Sequence, residues 1–209
     1  MRSRRPFVVL ALVVALAVTL LTGRWAVAGV PTDQLKTQID RVIKALEDPE
    51  LKKEGRAKDR RAAVRKIAND IFDFSETARR SLGRHWQGRT QAERDEFVQL
   101  FTDLLERTYI SKIETYGGEK IQYNGDTVEG EQAKVQTKLV TKGSGGEIPI
   151  EYRMHKVGDR WLVYDVVIEG VSLVANYRTQ FNKIIQTSSF EELMNKMKNK
   201  QHELMTGQS

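Results

Sequence analysis

The chain of 209 residues contains no cysteine. Its stability must therefore come from a packed core, and thiol catalysis, thiolate metal sites and lipoprotein anchoring through cysteine are excluded. Histidine is scarce. His85, His155 and His202 lie far apart, and none pairs with another at metal-ligand spacing. His155 follows Tyr152 and Arg153 on an expected strand and reads as a surface or strand-edge residue. The stretch Gly143-Ser-Gly-Gly146 lacks the lysine and the following helix of a phosphate loop, so it reads as a hairpin loop. No G-x-S-x-G elbow occurs. Repeats and low-complexity linkers are also missing. No nucleotide, metal or other cofactor is implied.

Long apolar runs are limited to one. Arg2, Arg4 and Arg5 form a basic start, Phe7 to Leu21 is apolar or small apart from Thr19, and Ala26-Val27-Ala28 gives a small-x-small pattern. Those three parts, in that order, make a secretory signal cleaved after Ala28. The alternative is an uncleaved anchor, but the run falls short of the ~20 residues a spanning helix needs. Residues 29–209 are then the mature protein; 209 less 28 leaves 181, enough for one domain with a real core. Four of the 34 basic residues (Arg2, Arg4, Arg5, Arg24) leave with the signal, so 30 face 28 acidic ones. A net charge of +2 argues neither for nucleic acid nor for strong attraction to anionic membranes.

Periodicity divides the mature chain. Pro31 to Asp48 has helical spacing, with Leu35, Ile39, Val42, Ile43 and Leu46 on one stripe. A second helix spans about Lys58 to Phe72. Its Lys/Arg-rich approach reads as a solvated face. Ser75 can cap a short helix that Gly83 ends. Thr90 and Glu93 form a capping box that opens the longest helix, about Gln91 to Tyr116, with Phe97, Leu100, Phe101, Leu104, Leu105, Tyr109 and Ile113 inward.

The period then changes to two. Strands are expected at Lys120–Tyr123, Ala133–Thr141, Glu147–Val157 and Arg160–Glu169. In the third, Ile148, Ile150, Tyr152 and Met154 oppose Glu147, Glu151, Arg153 and His155. The fourth sets Leu162, Tyr164, Val166 and Ile168 against Trp161, Val163, Asp165 and Val167, so both of its faces need cover. Helical spacing returns from Val171 to about Gln186. Ser189 with Glu192 opens a last helix, whose polar tail from about residue 200 is expected to fray. Helices, then an antiparallel sheet, then helices make an α+β domain. Glu147, Glu151, Asp165 and Glu169 read first as cross-strand partners of Arg153 or Arg160. A buried pair of carboxylates could instead do acid–base work. The long helix also carries more large apolar residues than a narrow seam requires, which fits either an ordinary core or a cavity against the sheet.

The segment Tyr164-Asp-Val-Val-Ile-Glu-Gly-Val-Ser-Leu-Val-Ala-Asn-Tyr-Arg-Thr-Gln-Phe181 resembles the signature of the MlaC-type, or toluene-tolerance, family. Phe72-Asp-Phe, Leu82-Gly83 with Trp86, Phe97 to Leu105 with Tyr109, and Gly158-Asp-Arg-Trp161 fit as well. The resemblance covers essentially the whole mature chain. It implies a curved antiparallel sheet packed on helices, similar to the nuclear-transport-factor-like (NTF2-like) architecture, with an apolar cavity between the layers. It further implies a monomeric periplasmic carrier of phospholipid or a related lipid. Its partners would be an inner-membrane MCE-domain protein with an ABC transporter and an outer-membrane lipoprotein complex. A hopanoid is the alternative cargo. Each methylene kept from water is worth about 0.8 kcal/mol. Two acyl chains therefore need a carrier, and the carrier needs no covalent chemistry.

On this resemblance the tails are expected on Phe101, Leu105 and Tyr109 of the long helix and on Leu139, Ile148, Ile150, Tyr152, Leu162, Tyr164 and Val166 of the sheet. Val171 and Val174 close one end at the start of the signature helix. Strand alternation aligns these sheet residues within each strand, but not the register between strands. Two other readings stay open. One is an acid–base enzyme using Asp165, which would then point into the cavity. The other is a protein-interaction module without a ligand.

Overall fold

The computed structural model describes residues 29–141 and 146–206. The expected signal segment, and most of the glycine-rich loop, lie outside the described residues. Helices α1 (Val30–Glu47), α2 (Pro49–Lys52), α3 (Ala57–Ile71), α4 (Phe74–Leu82) and α5 (Gln91–Ile113) come first. Strands β1 (Lys120–Glu129), β2 (Gln132–Val140), β3 (Glu147–Val157), β4 (Arg160–Ile168) and β5 (Val171–Ser172) follow, then α6 (Leu173–Thr187) and α7 (Phe190–Thr206). The five strands pair antiparallel in chain order. The α+β expectation holds.

Local chemistry sets most boundaries. Helix α1 has no side-chain cap of its own. Its N-terminus is tied to the sheet, because the backbone N–H and the hydroxyl of Thr32 both donate to the Asp126 carboxylate, at 3.0 and 2.7 Å. Asp73, rather than Ser75, caps α4, accepting from the Glu76 N–H at 2.9 Å. Asp73 is fixed there because its own N–H donates to the Val163 carbonyl. Gly83 stops α4 with φ +59° and ψ −129°, a conformation that glycine adopts readily and residues with a Cβ rarely do. The Thr90/Glu93 capping box opens α5 as expected. The helix ends at Ile113 rather than Tyr116, because the Thr115 and Tyr116 N–H groups bond three residues back, to Lys112 and Ile113. The C-terminal helix runs through Thr206. Met197 is buried, and Lys198 pairs with Glu96 of α5 at 2.8 Å.

Two bulges shape the sheet. The β1 register shifts between Tyr123 and Asp126, where Gly125 takes φ +98°. That irregularity breaks the alternation, so the strand is legible in the sequence only as far as Tyr123. In β4 the register passes from Arg153↔Asp165 to Met154↔Val163, leaving Tyr164 as an extra residue. Leu162 and Tyr164 therefore share the outer face with Asp165, while Trp161, Val163 and Val166 point inward. The expected common face of Leu162, Tyr164 and Val166 is corrected by this one residue.

Two main cores result. On the inner face of the sheet, Ala133, Val135, Met154, Trp161 and Val163 pack against Leu35 of α1 and Ile67 and Ile71 of α3. A separate helical core joins α4 to α7 through Ala78, Leu82, Phe97, Phe101, Phe181 and Leu193.

Candidate functional site

The inner face of the sheet has two unlike halves. The half beneath α1 and α3 is fully buried. In the other, Ile121, Tyr123, Leu139, Ile148, Ile150, Tyr152 and Val166 are each only half-buried, and Ile168 is 37% exposed. The register makes them contiguous. Ile121, Leu139 and Ile148 form one row, Tyr123, Thr137, Ile150 and Ile168 the next, and Tyr152 lies beside Val166. Fully burying one such side chain yields about 1.5–3 kcal/mol. A continuous patch that leaves much of this unrealised marks a surface that binds something apolar.

The polar groups on this patch are uncharged. Burial pushes the Tyr152 phenol up to about 12. Burial, with smaller contributions from Tyr152 and Asp40, pushes Tyr123 higher still. Both phenols keep their protons at neutral pH, so they can donate hydrogen bonds. The Thr137 hydroxyl donates to the Ile150 carbonyl at 3.2 Å.

The structure gathers Leu139, Ile148, Ile150, Tyr152, Val166 and Val171 from the expected set on this patch, Val171 through its pairing with Ile168. It separates the others. Phe101 and Leu105 are buried in the helical core, where Phe101 meets the rings of Phe97, Tyr177 and Phe181 at 5.7, 4.9 and 5.2 Å. Tyr109 packs on that same core. From α5, Ile110 turns toward Leu46 of α1 and Val64 of α3. Tyr164 lies on the outer face, edge-on to His155 at 5.8 Å and beneath the Arg80 guanidinium at 3.9 Å. Leu162, paired with His155, shares that face. Val174 is buried at the start of α6, whereas Val171 of β5 ends the row that passes through Ile150 and Ile168 and is 62% exposed. Ile121, Tyr123 and Ile168 join the patch without having been expected there. Their alternation is visible in the sequence, but no local signal reports which half of a face stays uncovered.

The outer-face carboxylates are structural. Asp165 is 4% exposed and accepts from Ser172 Oγ at 2.7 Å, the Val174 N–H at 3.0 Å and Arg153 at 3.3 Å. Arg153 also holds Glu151 at 2.9 Å, and Lys138 holds Glu147 at 2.6 Å. His155 meets Asp73 at 3.0 Å. Asp165 points away from the half-open patch, and its oxygens are engaged. Among the described residues no group of three or more His, Cys, Asp or Glu could hold a metal ion. A cavity of about 270 Å³ lies between α1, α3 and the sheet, floored by Leu35, Ile71, Met154 and Trp161. It is smaller than the ~300–1,000 Å³ typical of ligand pockets.

An α+β fold whose sheet leaves an apolar half-face open, with its buried carboxylates used in hydrogen bonds and ion pairs, defines a binding protein for an apolar ligand. The chain belongs to the MlaC protein family, whose sequence model matches residues 36–199. It is similar to the intermembrane phospholipid transport system binding protein MlaC of Haemophilus influenzae, 22% identical over 138 residues, 63% of this chain and 64% of that one. It is 30% identical over 99 residues to the toluene tolerance protein ttg2D of Pseudomonas putida, 44% of each chain. The matched stretches thus span under two thirds of either relative. The fold is shared with a phospholipid-binding protein from Ralstonia solanacearum solved in complex with a phospholipid. The TM-score is 0.74 at 23% identity, covering 84% of this chain and 98% of that one.

Proposed function

We propose that this protein is a non-enzymatic carrier that seats the acyl chains of a phospholipid against the half-open inner face of its sheet. The observation that carries this reading is the contiguous, half-buried apolar patch from Ile121 to Ile168. Family membership and the phospholipid bound by the Ralstonia relative support it. The orientation of Asp165 weighs against the acid–base alternative, because its carboxylate holds β5 and α6 in place on the other face. Energy for transport would come from a partner.

The carrier works in the periplasm after cleavage at Ala28. It passes lipid between an inner-membrane MCE-domain and ABC transporter assembly and an outer-membrane lipoprotein complex. No helix of the described residues is long and apolar enough to cross a membrane. Native mass spectrometry of protein recovered from the periplasm tests both parts. The expected result is a chain beginning at Gly29 that carries one or two lipid-sized adducts lost on denaturation. Protein that arrives without lipid, and takes none up from phospholipid vesicles, overturns the carrier reading.

A further inference from the structure

One polar group on the open half-face is not satisfied by the protein itself. The Tyr123 hydroxyl is buried and has no hydrogen-bond partner. It belongs to the row Tyr123–Thr137–Ile150–Ile168. The Thr137 hydroxyl in that row already donates to the Ile150 carbonyl. The ionisable neighbours of Tyr123 are Tyr152 of β3 and Asp40 of α1, and Asp40 is held by Lys36 at 3.1 Å. Leaving a buried hydroxyl unpaired is destabilising, and a phenylalanine would fill the same place without that cost. Among the described residues the other orphaned side-chain atoms, Ser81 Oγ and Arg89 Nε, lie on the helical side of the molecule.

We propose, resting on the lipid-carrier reading above, that the Tyr123 hydroxyl donates a hydrogen bond to an ester carbonyl oxygen of the bound lipid. The face would thereby favour ester-linked diacyl lipids over polycyclic hydrocarbons. The chemistry narrows the acceptor. A phosphate is an anion and is not drawn into an apolar row without a paired charge. An ester carbonyl is neutral and sits where the two tails begin. The fused rings of a hopanoid present no acceptor at that point. A neutral phenol and a neutral carbonyl match in polarity, and enclosure by apolar side chains strengthens their bond.

The test uses delipidated mature protein, wild type and Tyr123→Phe. Each is offered a diacyl phosphatidylglycerol in competition with its ether-linked analogue of equal chain length, and the bound lipids are counted by native mass spectrometry. The wild type is expected to prefer the ester lipid by roughly threefold to tenfold, the effect of one hydrogen bond. Tyr123→Phe should lose that preference and bind the ether lipid as the wild type does. In urea the lipid-free variant should be at least as stable as the wild type. Equal ester preference in both proteins, or a lipid-free variant less stable than the wild type, overturns the inference and leaves lipid binding intact. If neither lipid binds the wild type, the carrier reading itself has failed.

Discussion

Asp165 of β4 and Val174 of α6 are joined by a 3.0 Å hydrogen bond in which the Val174 backbone N–H donates to the carboxylate. The residues between them reverse the chain at Glu169-Gly170, where both residues have positive φ, add the two-residue strand β5 and start a helix. A negative group at a helix N-terminus is favoured by the dipole and by the orphan N–H groups there. Asp165 thus fixes the family signature segment onto the outer face of the sheet.

Asp165→Asn should therefore destabilise the protein without touching the lipid patch. The amide keeps an acceptor for one donor but weakens the charge-assisted bond to Arg153. A loss of about 1–3 kcal/mol is expected in urea unfolding. At temperatures where the variant is folded, its lipid content should match that of the wild type. An unchanged unfolding midpoint would refute the assigned role.

Charge on the patch should act in the opposite sense. Ile150→Glu places a carboxylate among apolar neighbours that a lipid tail would cover, and desolvating it costs several kcal/mol. Lipid recovery should fall to background while circular dichroism shows a folded chain. Val157→Glu is the control, because Val157 is 46% exposed and shares the outer face of β3 with His155. It should leave both stability and lipid content near wild type. Similar lipid loss in the two variants would move the site off the inner face.

Phe101→Ala tests the partition between core and site. Phe101 is enclosed by three rings of the helical core. Truncation should cost about 3–5 kcal/mol, read as a fall in unfolding midpoint. A variant of near-native stability that fails only to hold lipid would return α5 to the binding surface.

Acid sensitivity is expected around Glu76. Burial alone would raise its pKa, but hydrogen bonds from Arg79 and Arg80, each as short as 2.6 Å, and their charges outweigh it and hold the carboxyl below the usual 4.5. The stabilisation is complete above the unfolded value and is lost as pH falls from about 4.5 through the lowered folded value. Urea midpoints measured against pH should show Glu76→Gln less stable than wild type at neutral pH and flatter across that acid window. Parallel curves would remove Glu76 from the account.

What is legible in the sequence is local. Thr90 and Glu93 are three residues apart, so their capping box needs nothing from the rest of the chain. The β3 alternation has one polar side, so its two faces can be told apart from residue types alone. In β4 both sides are apolar, and a period of two then carries no information about which residue is the bulge. The Tyr164 insertion follows from pairing with β3, a long-range fact. The spacing of Val171 fits a helix. Its pairing with Ile168, across the Glu169-Gly170 turn, draws it into the sheet instead. The stripe on α5 signals burial correctly for Phe101 and Leu105, but an apolar stripe does not name its partner. The uncovered half of the sheet depends on where α1 and α3 stop, which no spacing encodes.

The Gly125 bulge in β1 has a consequence for the molecule in crowded surroundings. An open apolar half-face in water invites self-association, and the most damaging route is edge-to-edge growth of the sheet. At one margin β1 is broken by the shift between Tyr123 and Asp126, so an approaching strand finds its ladder of donors and acceptors out of step. At the other, β5 presents two residues before the chain turns into α6. The sheet is thereby a poor template for fibre-like assembly even while its greasy interior stands ajar.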